Sequence, residues 1–337
     1  MDNLNINNRF EWFASGNAPL LFPTELVMGD FLFDDLAKIR IPESFPFATT
    51  WGKPVSMHLS LEKAHPAPKY IFIAWFSIVE NKFYAVADEL PTEQIEALLS
   101  ARNEQTKKPV YDTLIAGMAP YGKLAIWLSG NGMTTQVAWL QGGEVAVQMR
   151  YFAPDSKLNR EEYARQALAE CKEASENLKS NGLPDPMLFE QYMQKFNYRI
   201  TPQFENAAEP EGMELYYSNG ELNATQSGEH TAYAMRAKPS KMVLHWRMGK
   251  KLYSGYFWTD ENKLKEAFHS YYGNDTQKEG NLIIQVGASH KHFRFFLQTE
   301  DAAVEVPVEE MQYIIFKNKF EFHRSPNYNR PPQGWIT

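Results

Sequence analysis

Few side chains in this sequence are equipped for chemistry, and their spacing limits what they can do. His290 and His292 lie two residues apart, so a strand would project both from one face and offer two imidazoles to a metal. A third ligand would have to come from elsewhere, with His245, His269 and Glu300 the candidates; the alternative is a pair of surface histidines beside a turn. Cys171 is the one cysteine, which rules out an intrachain disulfide and a cysteine-based metal site. It falls inside a helical stretch beside Leu168, Ala174 and Ser175, a setting for a packing residue rather than a thiolate nucleophile. Leu128-Ser129-Gly130 lacks the first glycine of a G-x-S-x-G elbow and reads as part of a hairpin, with no helix following. Gly130-Asn131-Gly132 and Gly142-Gly143 fall between strands, where backbone amides do not converge on a phosphate. Trp127 and Trp139 are either sugar-stacking platforms or core. The expectation is of no catalytic residue, no metal and no cofactor.

Charge narrows the choice of partner. The chain has 337 residues and a formal net charge of −7. An acidic surface repels a phosphate backbone, and the densest basic stretch, Lys238 to Lys251, is interrupted by Val243, Leu244 and Trp246 as a strand with one solvated face would be. Nucleic acid is therefore not an expected partner. Apolar runs such as Tyr70 to Val79 are strand-sized, too short to cross a membrane as a helix. The polar leader, Met1 to Asn8, reads as a disordered start without an export signal, which suits the cytoplasm. A periplasmic, lipid-anchored address follows instead if an export segment has been removed.

Positioning falls to short strands, since aromatic residues make up 14% of the chain and favour sheet. Tyr70 to Val79 and Lys82 to Ala87 read as a hairpin turning at Glu80-Asn81. A helix from Pro91 to Asn103 follows, with Ile95, Leu98 and Leu99 on one face. Leu114 to Ala116, Lys123 to Leu128 and Thr134 to Leu140 are three more strands, turned by Pro120-Tyr121-Gly122 and Gly130-Asn131-Gly132. The order recurs later: Met242 to Met248, Leu252 to Trp258, a helix Glu261 to Tyr272 capped by Asp260 and stopped by Gly273, then Asn281 to Val286 and His292 to Leu297. Trp75 and Trp246 take matching places in the two series, which suggests an internal duplication. Between them, Asn159 to Ser180 reads as one long helix, and Asn197 to Phe204 and Met213 to Tyr217 as strands.

The segments Ile73-Ala74-Trp75-Phe76-Ser77-Ile78-Val79-Glu80-Asn81-Lys82-Phe83-Tyr84 and Gly117-Met118-Ala119-Pro120-Tyr121-Gly122-Lys123-Leu124-Ala125-Ile126-Trp127-Leu128-Ser129-Gly130 carry a likeness. With Phe45-Pro46-Phe47, Trp51-Gly52, Asn197-Tyr198-Arg199-Ile200 and Tyr217-Ser218-Asn219-Gly220-Glu221, the chain resembles an uncharacterised bacterial family, domain of unknown function 2931, over residues 10 to 225. That resemblance implies exported lipoproteins of Gram-negative bacteria, some of them immunity partners encoded beside secreted antibacterial effectors, and carries over no catalytic residue. The expected fold is α+β: two related lobes of mainly antiparallel sheet, each with a helix, spanning 10–150 and 238–337 and joined by a helical insert and hairpin, 151–225. The expected function is a non-catalytic binding protein that blocks a cognate toxin, touching membrane only through a lipid anchor. The alternative is an envelope-associated enzyme, or a glycan- or lipid-binding protein with its site between the lobes. Tyr121, Asn131 and Met133 on hairpin turns and Arg324, Tyr328 and Trp335 in the tail are the candidate partner-binding residues.

Overall fold

The computed structural model describes residues 9–43, 46–55, 64–104, 106–226, 232–290, 292–298, 303–306, 312–317 and 321–324. It divides into two compact units, one running to Phe189 and the other from Glu190 to Trp335. Both combine sheets with helices, and strands predominate, so the class is α+β.

In the first unit the strands are β1 (Phe13–Asn17), β2 (Thr24–Leu32), β3 (Lys38–Arg40), β4 (Tyr70–Ser77) and β5 (Lys82–Glu89). After helix α1 (Thr92–Ser100) come β6 (Thr113–Ala119), β7 (Lys123–Gly130), β8 (Met133–Gln141) and β9 (Gly143–Val145). One sheet has the order β3-β2-β4-β5-β9 and is antiparallel throughout. The other runs β1-β6-β7-β8, with β1 parallel to β6 and the remaining pairs antiparallel. Alternation along each strand sends Ile71, Ile73 and Trp75 from one sheet and Leu114, Ala116, Leu124 and Ile126 from the other into a shared core. The helix α1 adds Ile95 and Leu99 to it. Full burial of each large apolar side chain contributes about 2 to 3 kcal/mol, which is what fixes strand register.

Helices α2 (Met149–Phe152), α3 (Arg160–Glu170) and α4 (Lys172–Asn181) follow β9. A smaller cluster builds on the opposite face of β4 and β5, where Phe76, Ile78 and Phe83 pack with Phe152, Tyr163, Ala164 and Leu168. Asn159 and Glu162 form a reciprocal capping box at the start of α3. The single helix expected over Asn159 to Ser180 is broken at Cys171, whose φ of −97° and ψ of 78° leave the helical region. Apolar periodicity reports the buried face and is blind to one residue stepping out of line. Cys171 consequently stands at a joint, half-buried, rather than in mid-helix.

Helix α5 (Leu188–Met193) spans the boundary in sequence. The second unit then contains β10 (Lys195–Phe204), β11 (Glu209–Tyr217), β12 (Leu222–Gln226), β13 (Ala234–Ala237), β14 (Pro239–Met248) and β15 (Lys251–Trp258). Helix α6 (Glu261–Tyr272) precedes β16 (Gly280–Val286), β17 (Phe293–Gln298), β18 (Ala303–Val306), β19 (Gln312–Lys317) and β20 (Glu321–Arg324). Its first sheet joins β12, β11, β14, β15, β19 and β20 in antiparallel sequence. Its second runs β13-β10-β16-β17-β18, with β10 parallel to β16 and the rest antiparallel. Between them lies a core of Tyr198, Leu215, Leu244, Trp246, Phe257, Phe268, Ile284 and Phe295. The helix α6 has the bounds read from the sequence, with Asp260 Oδ1 accepting a 3.0 Å bond from the Lys263 amide and Gly273 ending it at φ 54°.

The expected insert, 151–225, is divided by this pairing. Its helices stay with the first unit, whereas β10 and β11 pair with β16 and β14 of the second.

Candidate functional site

A densely bonded polar group of the first unit is Glu80, at the turn between β4 and β5. Its Oε2 accepts from Ser77 Oγ at 2.7 Å and from the Tyr121 amide at 3.0 Å, and its Oε1 accepts from the Tyr84 hydroxyl at 2.8 Å. Tyr121 belongs to the tight turn Pro120–Gly122 between β6 and β7 and holds a left-handed φ of 61°. A side chain other than glycine's pays of order 1 kcal/mol there, so the turn needs outside support. Besides Glu80, that support comes from Gln141 Nε2, which donates to the Tyr121 carbonyl at 2.9 Å, and from the Tyr121 hydroxyl, which donates to Pro184 O at 2.7 Å. Gly122 is required as well, since a Cβ there would come within 2.6 Å of the Gly142 carbonyl. Burial first, and then Glu80, pushes the Tyr84 phenol up from its ordinary range, so it stays a proton donor. This carboxylate acts as a clasp between two hairpins.

In the second unit the turn after β16 ends at His290, which holds a left-handed φ of 57°. The Trp246 indole donates to His290 Nδ1 at 3.1 Å, while Nε2 lies 3.1 Å from Met248 Sδ and 3.2 Å from Asn206 Nδ2. An indole N–H can only donate, so Nδ1 holds its lone pair and the proton of the neutral ring sits on Nε2. Burial pushes the imidazole down, which keeps it neutral. The ring stacks on Tyr253 at 4.4 Å between centroids.

That geometry corrects the expectation that His290 and His292 share one strand face: His290 is buried in a turn and His292 is exposed just before β17. His245 lies on β14 with Nδ1 against Ser254 Oγ at 2.7 Å; His269 is on α6; Glu300 falls outside the described residues. Among the described residues, no three His, Cys, Asp or Glu side chains gather where a metal could be held. Cys171 occupies the N-cap position of α4, yet burial first, and then Glu170, Glu25 and Glu173, push its thiol up. Burial and then an acidic neighbourhood outweigh the helix terminus.

Buried ionisable groups also went unread in the sequence, Glu25 and Lys238 among them. Glu25 on β2 is 1% exposed and accepts a 2.8 Å bond from the Tyr163 hydroxyl. Burial raises its carboxyl to about 7, against the smaller lowering effect of Tyr163. The signal was an acid inside the apolar run Leu20 to Val27. Lys238, ahead of β14, is 5% exposed and donates to Gln191 O at 3.1 Å. Desolvation lowers its ammonium to about 8, partly countered by the Glu261 carboxylate. Burial in turn raises Glu261.

Of the candidate partner-binding residues, those of the first unit do not converge. Tyr121 and the pair Asn131 and Met133 lie at opposite ends of β7, roughly 25 Å apart at about 3.4 Å per residue. Asn131 is the first position of a two-residue turn with Gly132, at φ 43° and 79°, and its Nδ2 donates to Pro109 O. Met133 is half-buried against the first core. Arg324 ends β20 opposite Ile314, with its side chain outside the described residues; Tyr328 and Trp335 fall outside them altogether. Trp127 is core, wholly buried with Trp51 at 4.7 Å between ring centroids, and Gly117 leaves room for both rings. Trp139 is half-buried with the Lys123 ammonium 5.9 Å above it. A further aromatic group had no signal of its own in the sequence. On the face of β11, β14 and β15 turned away from the second unit's core, the half-buried Tyr216, Tyr256 and Trp258 surround the Lys241 ammonium at 4.4, 5.7 and 5.6 Å.

A profile of the family described as Protein of unknown function (DUF2931) matches residues 2–184. The two stretches that carried the likeness in the sequence meet at the Glu80 clasp, inside the matched region. No curated protein and no solved structure matches the chain.

Proposed function

The chain belongs to the DUF2931 family, and from that premise we propose that it is a non-catalytic binding protein, an immunity protein that occludes a secreted antibacterial toxin. The observation carrying this reading is the employment of its best-equipped polar groups. Glu80 holds two hairpins together through three hydrogen bonds, and His290 has both ring nitrogens turned towards neighbours in its own unit. Groups fixed in this way support loops; they do not leave an acid and a base facing a reacting atom. Binding is then a matter of surface. The aromatic set around Lys241 has the composition of an interface centre, rich in Tyr and Trp, and a net charge of −7 would speed encounter with a basic toxin.

The finer architecture is part of the same proposal: two related lobes, the second a diverged copy of the first. In support, each unit pairs an antiparallel sheet with a sheet containing one parallel pair, and each places a helix between its hairpin and that parallel strand. Trp75 faces Tyr84 across β4 and β5 as Trp246 faces Tyr253 across β14 and β15, with ring centroids 5.8 and 5.5 Å apart. The cellular address belongs to the proposal too: periplasmic and lipid-anchored if the partner acts there, cytoplasmic otherwise.

Calorimetric titration against the purified products of the genes flanking this one tests the function. Nanomolar binding to one of them, with protection of cells expressing it and loss of at least tenfold affinity in Trp258→Ala, is the expected result. If no flanking product is toxic, or the toxic one does not bind, the reading is wrong.

A further inference from the structure

We propose that Glu25 and Tyr163 form a pH-responsive latch that holds α3 against the outer face of β2, β4 and β5, closed when Glu25 is protonated and loosened when it ionises. Glu25 lies next to Leu26, which faces the core, so alternation along β2 turns the carboxyl the other way, towards the cluster of Phe76, Phe83, Phe152 and Tyr163. There it is 1% exposed. Among the described residues, its carboxyl has one hydrogen-bond partner, the Tyr163 hydroxyl at 2.8 Å. An ionised carboxylate offers about four acceptor sites, and one neutral phenol fills a single one of them. Among the described residues, the titratable groups facing it are Tyr163 and Glu170 on α3 and the Cys171 thiol at the joint, and none of these is a cation. Glu170 repels the charged form and disfavours it further.

The element above this carboxyl is built to move as a piece. The capping box of Asn159 and Glu162 satisfies the start of α3 without help from the sheet, and its other end is the non-helical joint at Cys171. Its grip on the sheet is small: Ala164 is the buried residue of α3, with Tyr163, Ala167 and Leu168 packed beside it. A charge in such a site meets one neutral phenol and the repulsion of Glu170, so lifting α3 to admit water relieves it. The carboxyl titrates near 7, so the change falls where cells can use it.

Hydrogen exchange of the full chain at pH 6.0 and 8.5, corrected for intrinsic rates, tests the latch. Protection of residues 160–170 should fall about tenfold at the higher pH, the ratio that one pKa unit of differential binding supports, while β7 stays constant. In Glu25→Gln, which is neutral at both values, residues 160–170 should keep their pH 6.0 protection throughout. Equal protection in the wild type at the two pH values, or a pH response that survives Glu25→Gln, overturns the proposal. Carbon-detected titration of the Glu25 carboxyl in the unmodified protein is the independent check: a midpoint near 7 is expected, and one in the ordinary carboxylate range ends the argument.

Discussion

Replacing Glu80 by alanine takes the common acceptor from three donors at once, and the structure sets the size of the effect. Ser77 is fully buried and Tyr84 nearly so, while the Tyr121 amide sits in a turn that is strained at φ 61°. Hydrogen bonds to a charged acceptor contribute about 1.5 to 3 kcal/mol each when dry, but Glu80 is half-buried and water can replace part of it. About 1 kcal/mol for each of the three donors is the appropriate figure, hence about 3 kcal/mol in all. That corresponds to a hundredfold or so greater opening of the two hairpins, since about 1.4 kcal/mol is tenfold. Glu80→Gln keeps one oxygen for the Tyr121 amide and Ser77, and the Tyr84 hydroxyl can rotate to accept from the new amide, so its loss should be near 1 kcal/mol. Native-state hydrogen exchange at Tyr121 and along β5 and β6 reads both variants. Should alanine and glutamine at position 80 differ by less than about 0.5 kcal/mol, the clasp is not what holds the turn.

Two further perturbations test the second unit. His290→Phe keeps a flat ring against Tyr253 but deprives the buried Trp246 indole of its acceptor, so unfolding in denaturant should show a loss of about 1 to 3 kcal/mol; an unchanged midpoint would mean that Nδ1 is no acceptor. Lys238, with its folded ammonium lowered to about 8 from 10.5, should burden the fold below pH 8, and that burden should fade as pH rises from 8 towards 10.5. Lys238→Met should flatten that pH dependence by on the order of 2 kcal/mol, a partial figure because the variant also leaves Glu261 without its cation; a Met variant with the wild-type profile places the titration elsewhere.

What was legible in the sequence is what neighbouring residues decide. The bounds of α6 follow from Asp260, Gly273 and an apolar stripe, all within one segment. The hairpins β4–β5 and β6–β7–β8 follow from alternation and from turn residues such as Asn131-Gly132. The parallel pairing of β1 with β6 has no such signature, because its partners are far apart along the chain and either strand would look the same beside another neighbour. The ionisable groups that matter were hidden for the same reason. Glu80 meets Tyr121 41 residues away and Glu25 meets Tyr163 138 residues away, and only the folded sheets bring them together. His290 and His292 show the reverse hazard, where a local spacing suggested a shared face and a left-handed turn separated them.

On the proposed reading that the second unit is a diverged copy of the first, the two clasps bear on how a repeated fold can lose its sequence. Each unit must secure a turn that contains a left-handed residue, Tyr121 in the middle of one and His290 at the end of the other. The first does so from the hairpin tip with a carboxylate, and leaves the Trp75 indole nitrogen buried without a hydrogen-bond partner. The second has no acid at its β14–β15 turn and uses the indole itself, donating from Trp246 to the imidazole. Either arrangement satisfies the same mechanical demand, so selection on fold alone permits the exchange of Glu and Tyr for Trp and His. The family profile matches residues 2–184, all of them in the first unit. On that reasoning, the residues preserved between the lobes should be those that fill the core, Trp75 with Tyr84 and Trp246 with Tyr253, because a buried aromatic pair has fewer substitutes than a hydrogen bond does.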